Sequence, residues 1–337
     1  MGRYLGVDLH RNNFTVCTLL ENNRRYLRSW HLKDLGHFVS RLRSTDEIAL
    51  EVTGNTRLFY EAAASKVSRV VIVNPRQFKV ISKSVNKTDK NDARQLALFL
   101  SKGLLPEVRM KDKVHAQLSS LTQTRDKLVK LRTALKNKIN NILSSYGINL
   151  KKEELSSEKG LTKVLGMIFD PLVEMELQVL VEQIRSLNKS IAKLERSIKE
   201  EGPRLPGHKN LKSIKGIGDL GSSILLSVIG DVNDFETEGK LAAYFGIVPR
   251  ISNSNETERS GRITKQGNKL GRTTLVQCSL IAKRYSAYLS QYYERIKARR
   301  GSGKAIIALA RKFLSIIYKT LKNNWVWSDF PNGVLAQ

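Results

Sequence analysis

The sequence predicts an α/β domain followed by largely helical segments, α/β plus α, and three observations carry this. Over the first hundred residues, short β-branched apolar runs alternate with stretches of helical periodicity. The middle of the chain repeats apolar residues in three- and four-residue steps. The last third carries apolar helices interrupted by glycine turns.

In order, Arg3 to Val7 and Phe14 to Leu20 read as two strands of a hairpin, joined by a turn at His10 to Asn13, the first strand ending at Asp8. A third strand follows at Tyr26 to Trp30. Leu35, Phe38, Val39 and Leu42 have helical spacing. A strand at Ile48 to Val52, a helix from Thr56 to about Ser65 and a strand at Val70 to Val73 complete an α/β sheet.

In NKTDKNDA, from Asn86 to Ala93, Asp89 and Asp92 stand one helical turn apart, with Thr88 placed to cap a helix whose N-terminal dipole favours both acids. Capping alone accounts for this pair. Asp8, within GVDLH, and Glu51, within EVTGNT, fall at strand ends, where open α/β sheets collect ligands. Four carboxylates in one compact site would repel one another, and a divalent cation is the natural remedy. Two ions so placed would suit phosphodiester cleavage.

From Lys113 to Tyr146 a long helix is expected, with Val114, Leu118, Leu121, Leu128, Leu131, Leu135, Ile139 and Ile142 on its seam. A second seam runs through Leu177, Leu180, Ile184, Leu187, Ile191, Leu194 and Ile198. The two either fold back as an antiparallel hairpin or pair with another chain. GPRLPG, Gly202 to Gly207, reads as a linker, which gives three domains at 1–108, 109–201 and 202–337.

In the last domain, IKGIGDLGSSIL has the pattern of a helix-hairpin-helix, in which Lys215, Gly216 and Gly218 are candidate nucleic-acid contacts because glycines let backbone N–H groups approach phosphate. A tight helix turn is the plain alternative. ISNSNETERSGRITKQGNK has loop composition, yet its serines lie among Arg259, Arg262 and Lys265, cations suited to stabilising charge on a phosphoryl group. GSGK, at Gly301 to Lys304, lacks the spacing of a phosphate loop and is read as a helix start. Trp325 and Trp327 are assigned to packing of the C-terminal segment rather than base stacking.

A formal charge of +27 points to a polyanionic partner, most simply nucleic acid. The expectation is no membrane association and a cytoplasmic location, since no apolar run reaches a membrane span and no signal-peptide core is present. Two cysteines, Cys17 and Cys278, are too few for a disulfide framework.

Taken jointly, GVDLH, EVTGNT, NKTDKNDA, IKGIG, FGIVPR and GRITKQGN resemble the DEDD-type insertion-sequence transposases related to the Piv DNA invertase, RNA-guided bridge recombinases, over nearly the whole chain. The resemblance implies an RNase H-like (RuvC-like) N-terminal domain, a coiled-coil middle and a C-terminal transposase domain. It makes Asp8, Glu51, Asp89 and Asp92 the catalytic acids and Mg2+ ligands. It makes Ser254, shortly after Pro249 and Arg250, the nucleophile of a phosphoserine mechanism. The family's next residue is glycine, here Asn255, and Ser252 and Ser260 are the alternatives. Implied partners are donor and target DNA, a guide RNA, and further copies of the chain in a dimer or tetramer. Two other functions share the basic charge: a metal-dependent junction nuclease using water, and a non-enzymatic nucleic-acid-binding scaffold.

Overall fold

The computed structural model describes residues 2–74, 78, 88–151, 153–254 and 257–327, with backbone alone over 251–254 and 257–260. Two compact units divide at Met110 and Lys111.

The first unit contains strands β1 (Arg3–Leu9), β2 (Asn13–Leu20) and β3 (Arg25–His31), a short helix α1 (Leu35–Val39), β4 (Glu47–Glu51), α2 (Thr56–Ala63), β5 (Arg69–Val73) and α3 (Asp89–Ser101). The sheet order is β3-β2-β1-β4-β5: an antiparallel meander whose first strand also pairs in parallel with β4, and β4 with β5. Side chains alternate across a strand, so β1 serves two cores. Leu5, Val7 and Leu9 bury against Phe38 and Phe59 of α1 and α2. On the other face, Ala93 and Ala97 of α3 pack with Cys17 and Leu19, and Leu96 packs with Ala49 and Val71. This meander and these alternating elements are those the periodicity indicates.

The second unit opens with α4 (Lys113–Ser145), then α5 (Glu158–Leu165) and α6 (Pro171–Glu201). The two long helices fold back as an antiparallel hairpin, because pairs that move forward on α4 move backward on α6. Arg125 meets Glu195 at 2.8 Å, Arg132 donates to Asn188 at 2.8 Å, and Lys138 meets Glu176 at 3.0 Å. Ile139, Leu143, Leu177, Val181 and Ile184 are buried between them. Val114 and Leu131, expected on the seam, are exposed, since a two-helix hairpin buries a narrower stripe than the sequence pattern offers.

Helices α7 (His208–Ser213), α8 (Asp219–Ile229) and α9 (Glu238–Tyr244) precede a β hairpin, β6 (Pro249–Ser254) and β7 (Thr257–Ile263). Then come α10 (Lys269–Ala282), α11 (Ala287–Arg300) and α12 (Ser302–Lys322), the last beginning at GSGK as read. Leu225, Phe245, Leu275, Phe313 and Ile317 belong to one core. GPRLPG is not a free linker: Leu205 is buried in this core, and a Cβ on Gly202 would meet Ser223 Oγ at 2.1 Å. Trp327 packs on the same core and donates through Nε1 to Thr320 Oγ1 at 2.6 Å. No helix among the described residues is long and apolar enough to cross a membrane.

Candidate active site

Val7 pairs with Leu50 in parallel register, so the residues that follow, Asp8 and Glu51, leave neighbouring strands on the face opposite the α1–α2 core. That face is covered by α3. Thr88 Oγ1 caps this helix by accepting from the Asn91 backbone N–H at 3.3 Å, and Asp89 and Asp92 occupy the first turn, as the sequence indicates.

Helix and strand approach so closely because Gly6 has no side chain. A Cβ there would lie 2.1 Å from the Ala93 carbonyl oxygen and 2.4 Å from the Ala97 nitrogen. The residues of EVTGNT fix the turn after β4. Thr56 Oγ1 donates to the Glu51 carbonyl at 3.0 Å, and the Thr53 N–H donates to Thr56 Oγ1 at 2.6 Å. Asn55 Nδ2 donates to the carbonyls of His10 and Arg11 at 2.9 and 3.0 Å, which holds the β1–β2 turn beside the site.

That turn brings in a residue sequence reasoning missed. His10 Nε2 lies 3.1 Å from Asp8 Oδ2 and 3.4 Å from Asp89 Oδ1. One donor atom from each of Asp8, His10 and Asp89 falls within 4.8 Å of the others, a spacing that could hold a metal ion. The available signal was position: two residues beyond Asp8, His10 projects on the same side as the acid if the strand runs on. Glu51 and Asp92 lie outside this triad; one oxygen of each, Oε1 and Oδ1, is buried. Burial pushes the Asp8 carboxyl upward; His10 opposes this, and Asp89 and Asp92 add to it. Mutually repelling carboxylates with an imidazole beside them suit a divalent cation, so the donor set fits the metal expected here.

In the second unit, α7 and α8 form a short helical hairpin around Ile214 to Gly218. Gly216 is required by φ +110° and by packing, since a Cβ would sit 2.6 Å from the Ala282 nitrogen. Gly218, at the N-cap of α8, has open space where a Cβ would be, and Lys215 is exposed. Ser254 ends β6 and pairs with Thr257, while Ser252 pairs with Arg259. The polar segment expected to be a loop is therefore a two-stranded hairpin. Asn255, the side chains of Ser252, Ser254, Arg259 and Ser260, and Asn86 and Lys87 lie outside the described residues. Arg262 is exposed on β7, and Lys265 is exposed just after it with φ +54°.

Residues 208–294 match the family described as Transposase IS116/IS110/IS902 family, and residues 5–148 match the DEDD transposase family of the IS110 type, described as Transposase. A DEDD domain of this type implies an RNase H-like fold and dependence on a divalent metal. The chain is 27% identical to "Transposase for insertion sequence element IS1111A" of Coxiella burnetii over 95% of its own length and 89% of that protein. It is 26% identical to the "Pilin gene-inverting protein" of Moraxella lacunata, over 95% of this chain and 96% of that one. It is 23% identical to "Transposase for insertion sequence element IS1328" of Yersinia enterocolitica, over 96% and 98% of the two chains. Acids gathered at two strand ends and a helix start, two transposase family matches, and relatives of both kinds aligned over most of their length make this chain a DEDD-type insertion-sequence transposase of the IS110/IS116 group, an enzyme that cleaves and rejoins DNA.

Proposed function

We propose that the chain performs site-specific recombination through a covalent serine–DNA intermediate, with strand choice directed by a guide RNA. The observation that carries the reading is the convergence of Asp8, His10 and Asp89 beside Glu51 and Asp92, on a fold whose relatives move or invert DNA.

In this reading the Ser254 hydroxyl attacks a backbone phosphorus. The Oγ–P bond forms, a bridging P–O bond breaks, and the proton lost by the serine is balanced by the one taken up by the departing strand oxygen, which leaves as a free hydroxyl. The phosphoserine link conserves the energy of the broken bond, so a freed strand hydroxyl from the partner duplex can attack it, reseal the DNA and regenerate serine. Asp8, Glu51, Asp89 and Asp92 would hold Mg2+, which would neutralise the scissile phosphate and stabilise charge on its oxygens. Arg259, Arg262 and Lys265 would flank the phosphate, and Lys215, Gly216 and Gly218 would contact the backbone.

Strand exchange requires several active sites, hence a dimer or tetramer. Ile168, before α6, and Leu172, Met175 and Val179 along it form an exposed apolar stripe suited to self-association.

The test is Ser254→Ala with cognate DNA and Mg2+. Loss of a protein–DNA adduct on denaturing gels supports the reading, and persistence of the adduct refutes it. Mg2+-dependent cleavage that survives without attached protein would select the junction nuclease.

A further inference from the structure

The first unit carries a second feature, on the sheet face opposite the acids. Tyr26, Arg28 and Trp30 alternate along β3 on one face, opposite Thr18, Val16 and Phe14 of β2. With Arg3 and the end of α1 they line a cavity of about 180 Å³. The Trp30 ring is fixed from beneath, stacked on Phe14 at 6.4 Å and edge-on to Phe38 at 5.6 Å. Two guanidiniums reach it, Arg28 at 4.1 Å and Arg41 at 5.7 Å from the ring centroid. Tyr26, at the rim, is 57% exposed.

The charges differ in how they are used. Arg3 is held by Asp46, at 2.8 and 2.6 Å. Arg28 and Arg41 form no salt bridge among the described residues, and both are exposed. An edge strand offering the open Tyr26 ring and, at the next alternate position about 7 Å on, the uncompensated Arg28 guanidinium, with Arg41 close by, matches what a single polynucleotide strand presents: bases with π faces, and phosphates between them.

We propose that this face is a single-strand nucleic-acid subsite, in which a base stacks on Tyr26 beside the Trp30–Arg28 stack and Arg28 and Arg41 take the adjoining phosphate. The assignment is independent of the serine nucleophile, and its test involves no cleavage.

Fluorescence anisotropy on the full chain would compare labelled oligo(dT) and oligo(U) of about twelve nucleotides with a duplex of similar charge. Tyr26→Ala and Arg28→Ala should each weaken single-strand binding about tenfold, while Tyr26→Phe retains it and duplex binding is unchanged. Tighter binding of oligo(U) would make the occupant an RNA strand, and tighter binding of oligo(dT) a displaced DNA strand; either supports the subsite. Wild-type affinity in both alanine variants, or an equal loss on duplex, would overturn it.

Discussion

Gly6 of β1 and Ala93 of α3 meet backbone to backbone, at a distance that excludes even a methyl group. Gly6 lies two residues before Asp8, and Ala93 directly follows Asp92, so this contact sets how the helix-borne acids stand over the strand-borne one. Gly6→Ala should force α3 away from β1, costing about 1–3 kcal/mol, and should separate Asp8 from Asp89. Thermal unfolding with and without Mg2+ checks both effects: a lower Tm and a reduced metal-induced rise.

His10 should contribute to metal affinity because its ring lies within reach of both Asp8 and Asp89. Mn2+ titration followed by electron paramagnetic resonance is expected to show affinity reduced about 10–100-fold in His10→Ala, and more in Asp8→Asn. Unchanged affinity in His10→Ala would confine the site to the carboxylates.

Much of the first unit is legible in the sequence because its strands and helices keep clean periods of two and 3.6. The acids were visible too, as strand-end and first-turn residues. His10 was not, because it falls just past the strand end, where the alternation that would pair it with Asp8 no longer marks a strand, and only the fold brings Asp89 beside it. The β6–β7 hairpin escaped because Pro249 to Ile263 lacks the apolar alternation that marks a strand with one buried face. GPRLPG has linker composition, but composition is blind to the packing of Leu205 and Gly202.

Lys111 supplies a pH signature in the second unit. Its ammonium donates to the Ser227 carbonyl at 2.7 Å, while burial pulls its pKa down to about 8 against the opposing pull of Asp112. Between pH 8 and the ordinary lysine value of 10.5, the unfolded chain holds a proton that the folded chain has released. This group therefore makes the folded state more stable as pH rises through that window, by at most about 3 kcal/mol. Lys111→Met should remove the effect, so its stability advantage over wild type, measured by urea unfolding, should shrink from pH 7.5 to 10.5. A constant difference would contradict it.

Asp46 is fully buried and accepts from Arg3 Nε and Nη2 and from the Arg43 N–H at 2.8 Å. Asp46→Ala strands the Arg3 guanidinium and is expected to cost about 3 kcal/mol, with a smaller loss in Asp46→Asn. Chemical denaturation of the two variants checks the order.

The exposed stripe on α6 should govern self-association. Leu172→Glu with Met175→Glu should lower the mass seen by analytical ultracentrifugation and leave Tm nearly unchanged, since both side chains lie outside the hairpin seam. An unchanged mass would place the subunit contact elsewhere.

Trapping the reaction on cognate DNA and sequencing the DNA-linked peptide by mass spectrometry tests the central claim most directly. A nucleotide remnant on Ser254, formed only with divalent metal and lost in Asp8→Asn, is the expected result. A remnant on Ser252, Ser260 or another residue, or cleavage with no linked peptide, would contradict it.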